Sequence, residues 1–151
     1  MNIMDALKDI TRLFLDTSPV IYYVEKNPHY FSIVKTIFDH IDDGLLWSVT
    51  SPITLSECLT GTYIKGYKQF QNNFIDLIVY GHNVSFISID YEQARLSSEL
   101  RAKYRLTLPD AFQIATALFA ECDAFLTNDP ELKRITEIKV LVVDDFTSPV
   151  E

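Results

Sequence analysis

Apolar and polar positions along this chain fall into blocks whose period changes from one block to the next. Residues 12–16 (RLFLD) are a short apolar run ending in an acid, the pattern of a buried strand. Thr17, Ser18 and Pro19 then place hydroxyls and a proline where a helix begins, and a helix over 20–25 is expected. Over 28–43 the residues Phe31, Val34, Phe38 and Ile41 return at helical spacing, and Gly44 stops the run. Residues 45–49 (LLWSV) read as a second strand. Ser51 and Pro52 open a helix expected to reach Leu59 and to close at Gly61. Residues 63–80 read as one helix with Tyr67, Phe70, Phe74, Leu77 and Ile78 on a stripe, ended by Gly81. A third strand over 84–89 and a charged helix over 91–104 follow. A helix then starts at Leu108, Pro109 and Asp110 and runs to Ala120. A fourth strand over 124–126, a short helix over 130–135 and a fifth strand over 139–143 complete the order.

Strands separated by helices are the pattern of a parallel sheet covered on both faces, with right-handed crossovers. No repeat, linker or boundary interrupts the alternation, and only the first few and last few residues fall outside it. A chain of 151 residues is one domain's worth and can remove roughly 68–70% of its unfolded surface from water. With 48% hydrophobic residues, 4 Gly and 6 Pro, the composition excludes disordered, collagen-like and low-complexity classes.

Charge changes the picture more. The formal net charge of −8 argues against broad electrostatic attachment to nucleic acid or to anionic membranes. It leaves room for a local site in which divalent metal and a few clustered cations override the average. Cys58 and Cys122 are far apart, fit no metal-ligand spacing and read as reduced core residues, pointing to a cytoplasmic protein. The opening segment carries Asp5 and Asp9 and lacks the apolar stretch of a signal peptide. No apolar run reaches the roughly 18 residues of a spanning helix, so no membrane partner is expected.

The candidate chemistry lies at strand ends. In open parallel sheets functional groups gather beyond the carboxyl ends of the strands, at the switch point. Asp16 follows the first strand and Asp129 the fourth, while Glu57 and Asp110 lie on helices expected to start from the same edge. Each has a plainer role open to it. Asp129 precedes Pro130 and could be an N-cap, Asp16 a polar strand terminus, and Glu57 a solvated helix position. Asp110 shares a stripe with Ile114, Ala117 and Leu118 on a helix apolar nearly all round. A helix N-terminus compensates a carboxylate there by only about 0.3–1 kcal/mol, which leaves its inward direction unexplained.

Four carboxylates converging on one edge would repel one another, and some would take up protons unless cations were present. Hard divalent ions answer this, and an all-carboxylate set favours Mg²⁺ or Mn²⁺. His29, His40 and His82 are remote from all four acids in sequence, which argues against zinc. A carboxylate-held ion pair about 3.5–4 Å apart is a recurring device for cutting phosphodiesters. One ion lowers the pKa of the attacking water, and both neutralise the transition state and the leaving oxygen.

The segments LFLDTSPVIYYVE, LSECLTG, LTLPDAFQIATAL and AFLTNDPEL resemble, in order, the four acidic motifs of PIN-domain ribonucleases, and most nearly those of VapC-like toxins. The likeness runs from about Leu13 to Phe146. It implies a three-layer PIN-like α/β fold with a five-stranded parallel sheet flanked by helices on both faces, one domain over 1–151 with its core about 12–146. By that resemblance Asp16, Glu57, Asp110 and Asp129 are the catalytic, metal-binding carboxylates of one or two Mg²⁺ or Mn²⁺ ions. Thr17 and Asn128 are polar helpers orienting metal-bound water or neighbouring acids, and Thr127 matches the hydroxyl position of the last motif. The resemblance further implies an endoribonuclease that is the toxin of a toxin–antitoxin pair, a homodimer, and a small antitoxin that blocks the site.

Other chemistries fit less well. Asp16-Thr17-Ser18 lacks the second Asp of aspartyl-phosphate phosphatases, and no P-loop or dinucleotide motif is present. A phospho-receiver would carry its acceptor after the third strand and a Lys after the fifth, where this chain has Asp144 and Asp145. Two alternatives remain: a PIN-like scaffold that binds RNA or protein without cutting, and an RNA-processing PIN nuclease with no antitoxin. For RNA contact the candidates are Arg101, Lys103, Arg105, Lys133 and Arg134, with Arg95 nearby, although a solvated face is the commoner fate of such charges. Tyr22, Tyr23, Tyr63 and Tyr67 could stack on bases or on an antitoxin, or lie in the core.

Overall fold

Five short strands, Arg12–Leu15 (β1), Trp47–Thr50 (β2), Val84–Phe86 (β3), Ala124–Thr127 (β4) and Lys139–Val142 (β5), lie parallel in the order β3-β2-β1-β4-β5. This is a computed structural model, and it describes residues 1–146. Among these, seven α-helices cover the sheet: Ile3–Leu7 (α1), Thr17–Val24 (α2), Phe31–Asp42 (α3), Pro52–Lys65 (α4), Gln71–Ile78 (α5), Tyr91–Tyr104 (α6) and Leu108–Phe119 (α7). Short 3₁₀ turns occupy Lys68–Phe70, Pro130–Arg134 and Val143–Asp145.

The period-2 alternation of the strands divides the core in two. Leu13, Leu15, Ala124 and Leu126 face one side, with Ile33, Val34, Ile37 and Phe38 of α3 and Phe74 and Ile78 of α5. Phe14, Val49 and Phe125 face the other, under Leu100 of α6 and Ala111, Ile114 and Ala115 of α7. Phe14 and Phe125 pair across β1 and β4, their rings stacked at 5.1 Å between centroids. The expected three-layer arrangement is therefore the one present.

Local differences have physical reasons. The opening residues are not peripheral: α1 buries Ile3, Ala6 and Leu7, and the Asn2 side chain caps it by accepting from the Met4 N–H. Gly61 does not end α4. The helix runs on to Lys65, and Gly66 takes the left-handed conformation at φ 74°, with the Tyr67 N–H reaching back to the Thr62 carbonyl at 2.8 Å. That turn also splits the single helix expected over 63–80 into the end of α4, a 3₁₀ turn and α5. The second helix starts at Phe31 rather than 28, and β3 stops at Phe86 rather than 89. Thr17 is the first residue of α2, and Asp16 is its N-cap residue. Both cysteines are free, Cys58 buried and Cys122 only partly so. No helix among the described residues is long and apolar enough to cross a membrane.

Candidate active site

From β1 the chain moves outward to β2 and β3, then returns through α6 and α7 to β4 on the opposite side of β1. The carboxyl ends of β1 and β4 thus flank the switch point of the sheet. Asp16 leaves the first of these ends, and Asn128 and Asp129 leave the second.

Asp16 occupies the N-cap position of α2, yet its side chain makes no capping bond. One carboxylate oxygen, Oδ2, accepts instead from the Thr127 hydroxyl at 2.8 Å, and Oδ1 lies 3.5 Å from the Gln113 amide nitrogen. Desolvation pushes this carboxyl up to about 6. The Thr127 hydroxyl and the Thr17 backbone N–H oppose that rise, and the charges of Asp110 and Glu57 add to it. Thr127 acts twice, since its oxygen also accepts from the Asp129 N–H at 3.1 Å.

Glu57 is exposed on the second turn of α4, and the Thr17 hydroxyl donates to its Oε1 at 2.5 Å. Asp110 sits in the first turn of α7, partly buried. Thr107, not Asp110, is the N-cap, its hydroxyl accepting from the Asp110 N–H at 3.3 Å. Burial raises the Asp110 carboxyl above the usual range, with Thr107 opposing and the charges of Asp129 and Glu57 reinforcing. Asp129 does cap the 3₁₀ turn that follows it, accepting from the Glu131 N–H at 3.0 Å.

Asp16 therefore feels the charges of Asp110 and Glu57, Asp110 feels those of Asp129 and Glu57, and among the described residues none of the four is in an ion pair. Nor do any three His, Cys, Asp or Glu side chains among those residues form a ready-made metal cage. Such a donor set fits Mg²⁺ or Mn²⁺ better than a dehydrated, all-protein site. Mg²⁺ keeps several waters and is usually held through one or two carboxylates together with substrate phosphate.

Among the described residues the Asn128 side chain bonds none of the four acids. Its Nδ2 donates to the Tyr22 hydroxyl at 2.9 Å, and its Oδ1 accepts from the Asp144 N–H at 2.9 Å, so its effect on the site passes through the loop carrying Asp129. Tyr22 stacks on Tyr30, and Tyr23 on Phe38, whereas Tyr63 is 70% exposed and Tyr67 39%. Sequence patterning gave no signal for Gln113, an amide only 1% exposed within the apolar run of α7. Next to Glu57 an apolar trough of about 430 Å³ is walled by Ile53, Ile89, Leu108, Pro109 and Phe112.

The candidate cations are placed unequally. Lys103 pairs with Glu137 at 3.1 Å and Lys133 with Asp145. Arg134 donates to the Tyr104 carbonyl and lies over the Tyr104 ring, and Arg101 donates to the Leu106 carbonyl at 3.3 Å. Among the described residues the Arg105 side chain has no hydrogen-bond or ion-pair partner.

No curated protein matches this chain. Solved structures do. A chain of VapBC2 from Rickettsia felis, crystallised on a promoter DNA fragment, superposes with TM-score 0.68 at 17% identity, covering 87% of this chain and 98% of its own. A chain of a toxin–antitoxin complex from Klebsiella pneumoniae gives TM-score 0.65 at 24% identity, covering 87% and 97%. VapC20 of Mycobacterium tuberculosis, a toxin that cleaves the sarcin–ricin loop, gives TM-score 0.63 at 13% identity, covering 75% and 86%. At these identities the likeness is one of fold. The sequence profile of the PIN domain matches residues 13–138, most of the chain, and the protein belongs to the PIN domain family.

Proposed function

We propose that this protein is an Mg²⁺- or Mn²⁺-dependent endoribonuclease and the toxin of a toxin–antitoxin pair. The reading is carried by one observation: at the switch point the carboxyls of Asp16 and Asp110 are raised by burial and further by neighbouring acids, and among the described residues none of the four acids has a cation partner. Asp16, Glu57, Asp110 and Asp129 would hold one or two ions, which supply Lewis-acid activation of water and neutralise charge on the phosphate.

The chain's own residues provide preorganisation. Thr127 fixes Asp16 and the Asp129 backbone together, and Thr17 fixes Glu57. Attack of a water oxygen on phosphorus would break the phosphorus–oxygen ester bond, the water giving up a proton to solvent and the leaving oxygen taking one from solvent. With a net charge of −8, RNA would reach the site through metal and local cations rather than through the average field. The toxin assignment and an antitoxin partner are supported by the toxin–antitoxin complexes among the structures of like fold. Dimerisation and a cytoplasmic location belong to the same reading.

Incubation of purified protein with total RNA, with and without Mg²⁺ and with fragment ends mapped, tests the proposal. Metal-dependent cleavage lost in Asp16→Asn is expected, and cleavage persisting in EDTA would overturn it. Neither RNA turnover nor metal-linked stabilisation would favour a binding scaffold instead. A neighbouring short gene for a DNA-binding protein separates the toxin from an RNA-processing nuclease.

A further inference from the structure

We infer that Gln113 is a positioning residue for Asp16, acting through a directional chain of buried hydrogen bonds that joins α7, α4 and the end of β1. This deepens the proposed metal site and rests on that reading. Gln113 and its two α4-side partners are almost fully enclosed: Gln113 is 1% exposed, and Ser51 and Thr54 are 0%. Every buried side-chain polar atom among the described residues has a partner, so the bonds that Gln113 makes can be followed from donor to acceptor.

The direction is fixed at Ser51. Its oxygen caps α4 by accepting from the N–H groups of Ile53 at 3.1 Å and Thr54 at 3.4 Å, so its own proton goes to Gln113 Oε1. The amide orientation follows. The oxygen faces Ser51, and the two N–H donors of Nε2 face Thr54 Oγ1 at 2.8 Å and Asp16 Oδ1 at 3.5 Å. Thr54, having accepted from Gln113, gives its proton to the carbonyl of Leu15 at 3.2 Å, the residue before Asp16.

A primary amide is the side chain that fits both ends of this chain, accepting at one and donating twice at the other. Glutamate in its place would have no donor for Thr54 or Asp16, and an apolar residue would have neither function. At 3.5 Å the contact with Asp16 adds little as a bond. Its consequence is orientational. Thr127 holds Oδ2 from β4 while Gln113 faces Oδ1 from α7, so the plane of the Asp16 carboxylate is set from two elements. Gln113 lies one turn beyond Asp110 on α7, and its partner Thr54 lies one turn before Glu57 on α4. The amide thus ties the helices carrying two of the acids to the strand end carrying a third.

The test compares Gln113→Met, which keeps length and loses both polar functions, with the wild-type protein. The readouts are the Mn²⁺ concentration giving half the thermal shift, and kcat and KM for RNA cleavage. Loss of an outer partner of a metal ligand typically costs 10–100-fold. Gln113→Met is expected to raise the Mn²⁺ midpoint about tenfold and to lower kcat about tenfold, with KM for RNA unchanged. A lower Tm with Mn²⁺ midpoint and kcat both within about twofold of wild type would reduce Gln113 to a packing residue and overturn the inference.

Should Gln113→Met not fold, Thr54→Val breaks the same chain with Gln113 in place, and Thr54→Ser restores the hydroxyl. The midpoint should rise in the first and return in the second. An unchanged midpoint in Thr54→Val overturns the inference as well. A wild-type protein that shows no Mn²⁺ shift overturns the metal-site reading itself and this inference with it, an outcome distinct from a variant that binds Mn²⁺ as the wild type does.

Discussion

The Thr17 hydroxyl lies 2.5 Å from Oε1 of Glu57, forty residues further along the chain, and ties the first residue of α2 to the second turn of α4. Glu57 is exposed and nothing else described holds its carboxylate, so its placement depends on that one charge-assisted bond. Thr17→Val is expected to lower kcat about 10–100-fold in a Mn²⁺-supported cleavage assay. Thr17→Ser, which keeps the hydroxyl, should remain within a few-fold of wild type. Because Glu57 faces water, the change in stability should stay within about 1 kcal/mol in urea denaturation. A Val variant with wild-type kcat would show that Glu57 needs no such support.

Asp16 makes a prediction about pH. Its carboxyl is raised from 3.8 to about 6 in the folded, metal-free protein, so the folded state holds that proton more tightly than the unfolded chain. Below both values the group costs no stability. Between about pH 4 and pH 6 the unfolded chain ionises first and stability falls, by no more than about 3 kcal/mol, and above that window the loss is constant. Asp110 is shifted in the same direction and contributes with the same sign. In EDTA, wild type should lose more stability than Asp16→Asn between pH 4.5 and pH 7, and at pH 7 the Asn variant should be the more stable protein while cleaving no RNA. Parallel pH curves for the two proteins would contradict the burial of this charge.

Much of the framework was legible because its determinants are local. Strands β1 and β4 are apolar runs with an acid just beyond, and Ser51-Pro52 and Leu108-Pro109 mark helix starts by residue type alone. The same locality explains the errors. Gly61 and Gly66 are alike as residues, and only packing decides which of them turns left-handed. In α1 the apolar residues Ile3, Ala6 and Leu7 have helical spacing, but five residues with Asp5 among them give a weak periodic signal. Asp16 and Asp129 could be placed just past strand ends, but how the acids' side chains are held could not. Gln113 has its partners 62 and 59 residues earlier, and Asn128 turns to Tyr22, 106 residues back. No spacing rule connects such positions.

Asn128 closes a ring of contacts beside the site. Its amide bonds Tyr22 and the Asp144 backbone, Tyr22 stacks on Tyr30 at 4.6 Å, and the Tyr30 hydroxyl donates back to Asp144 Oδ1 at 2.7 Å. Asn128→Ala removes two of these bonds and leaves partners without replacements, a cost of about 1–3 kcal/mol. Tyr22→Phe removes one and should cost about half as much. If the ring also sets the loop carrying Asp129, Asn128→Ala lowers kcat in proportion to loop displacement, and Tyr22→Phe much less. Equal stability of Asn128→Ala and wild type in urea would show the ring to be incidental.

Arg105 separates RNA contact from fold. It holds φ 56° at the C-cap of α6, a left-handed conformation that suits glycine better than a residue with a Cβ. Its side chain is also without a protein partner among the described residues, whereas Lys103 and Lys133 are paired with Glu137 and Asp145. Arg105→Gly should therefore keep or raise stability, by up to about 1 kcal/mol, because backbone strain is relieved and no contact is lost. If the guanidinium meets a phosphate, the same substitution weakens RNA binding and makes the salt dependence shallower by about 0.7, the contribution of one contact to a single strand. Both quantities can be read on an Asp16→Asn background, where bound RNA stays intact. A stabilised variant with wild-type affinity and salt slope would assign Arg105 to solvent and remove it from the RNA contacts.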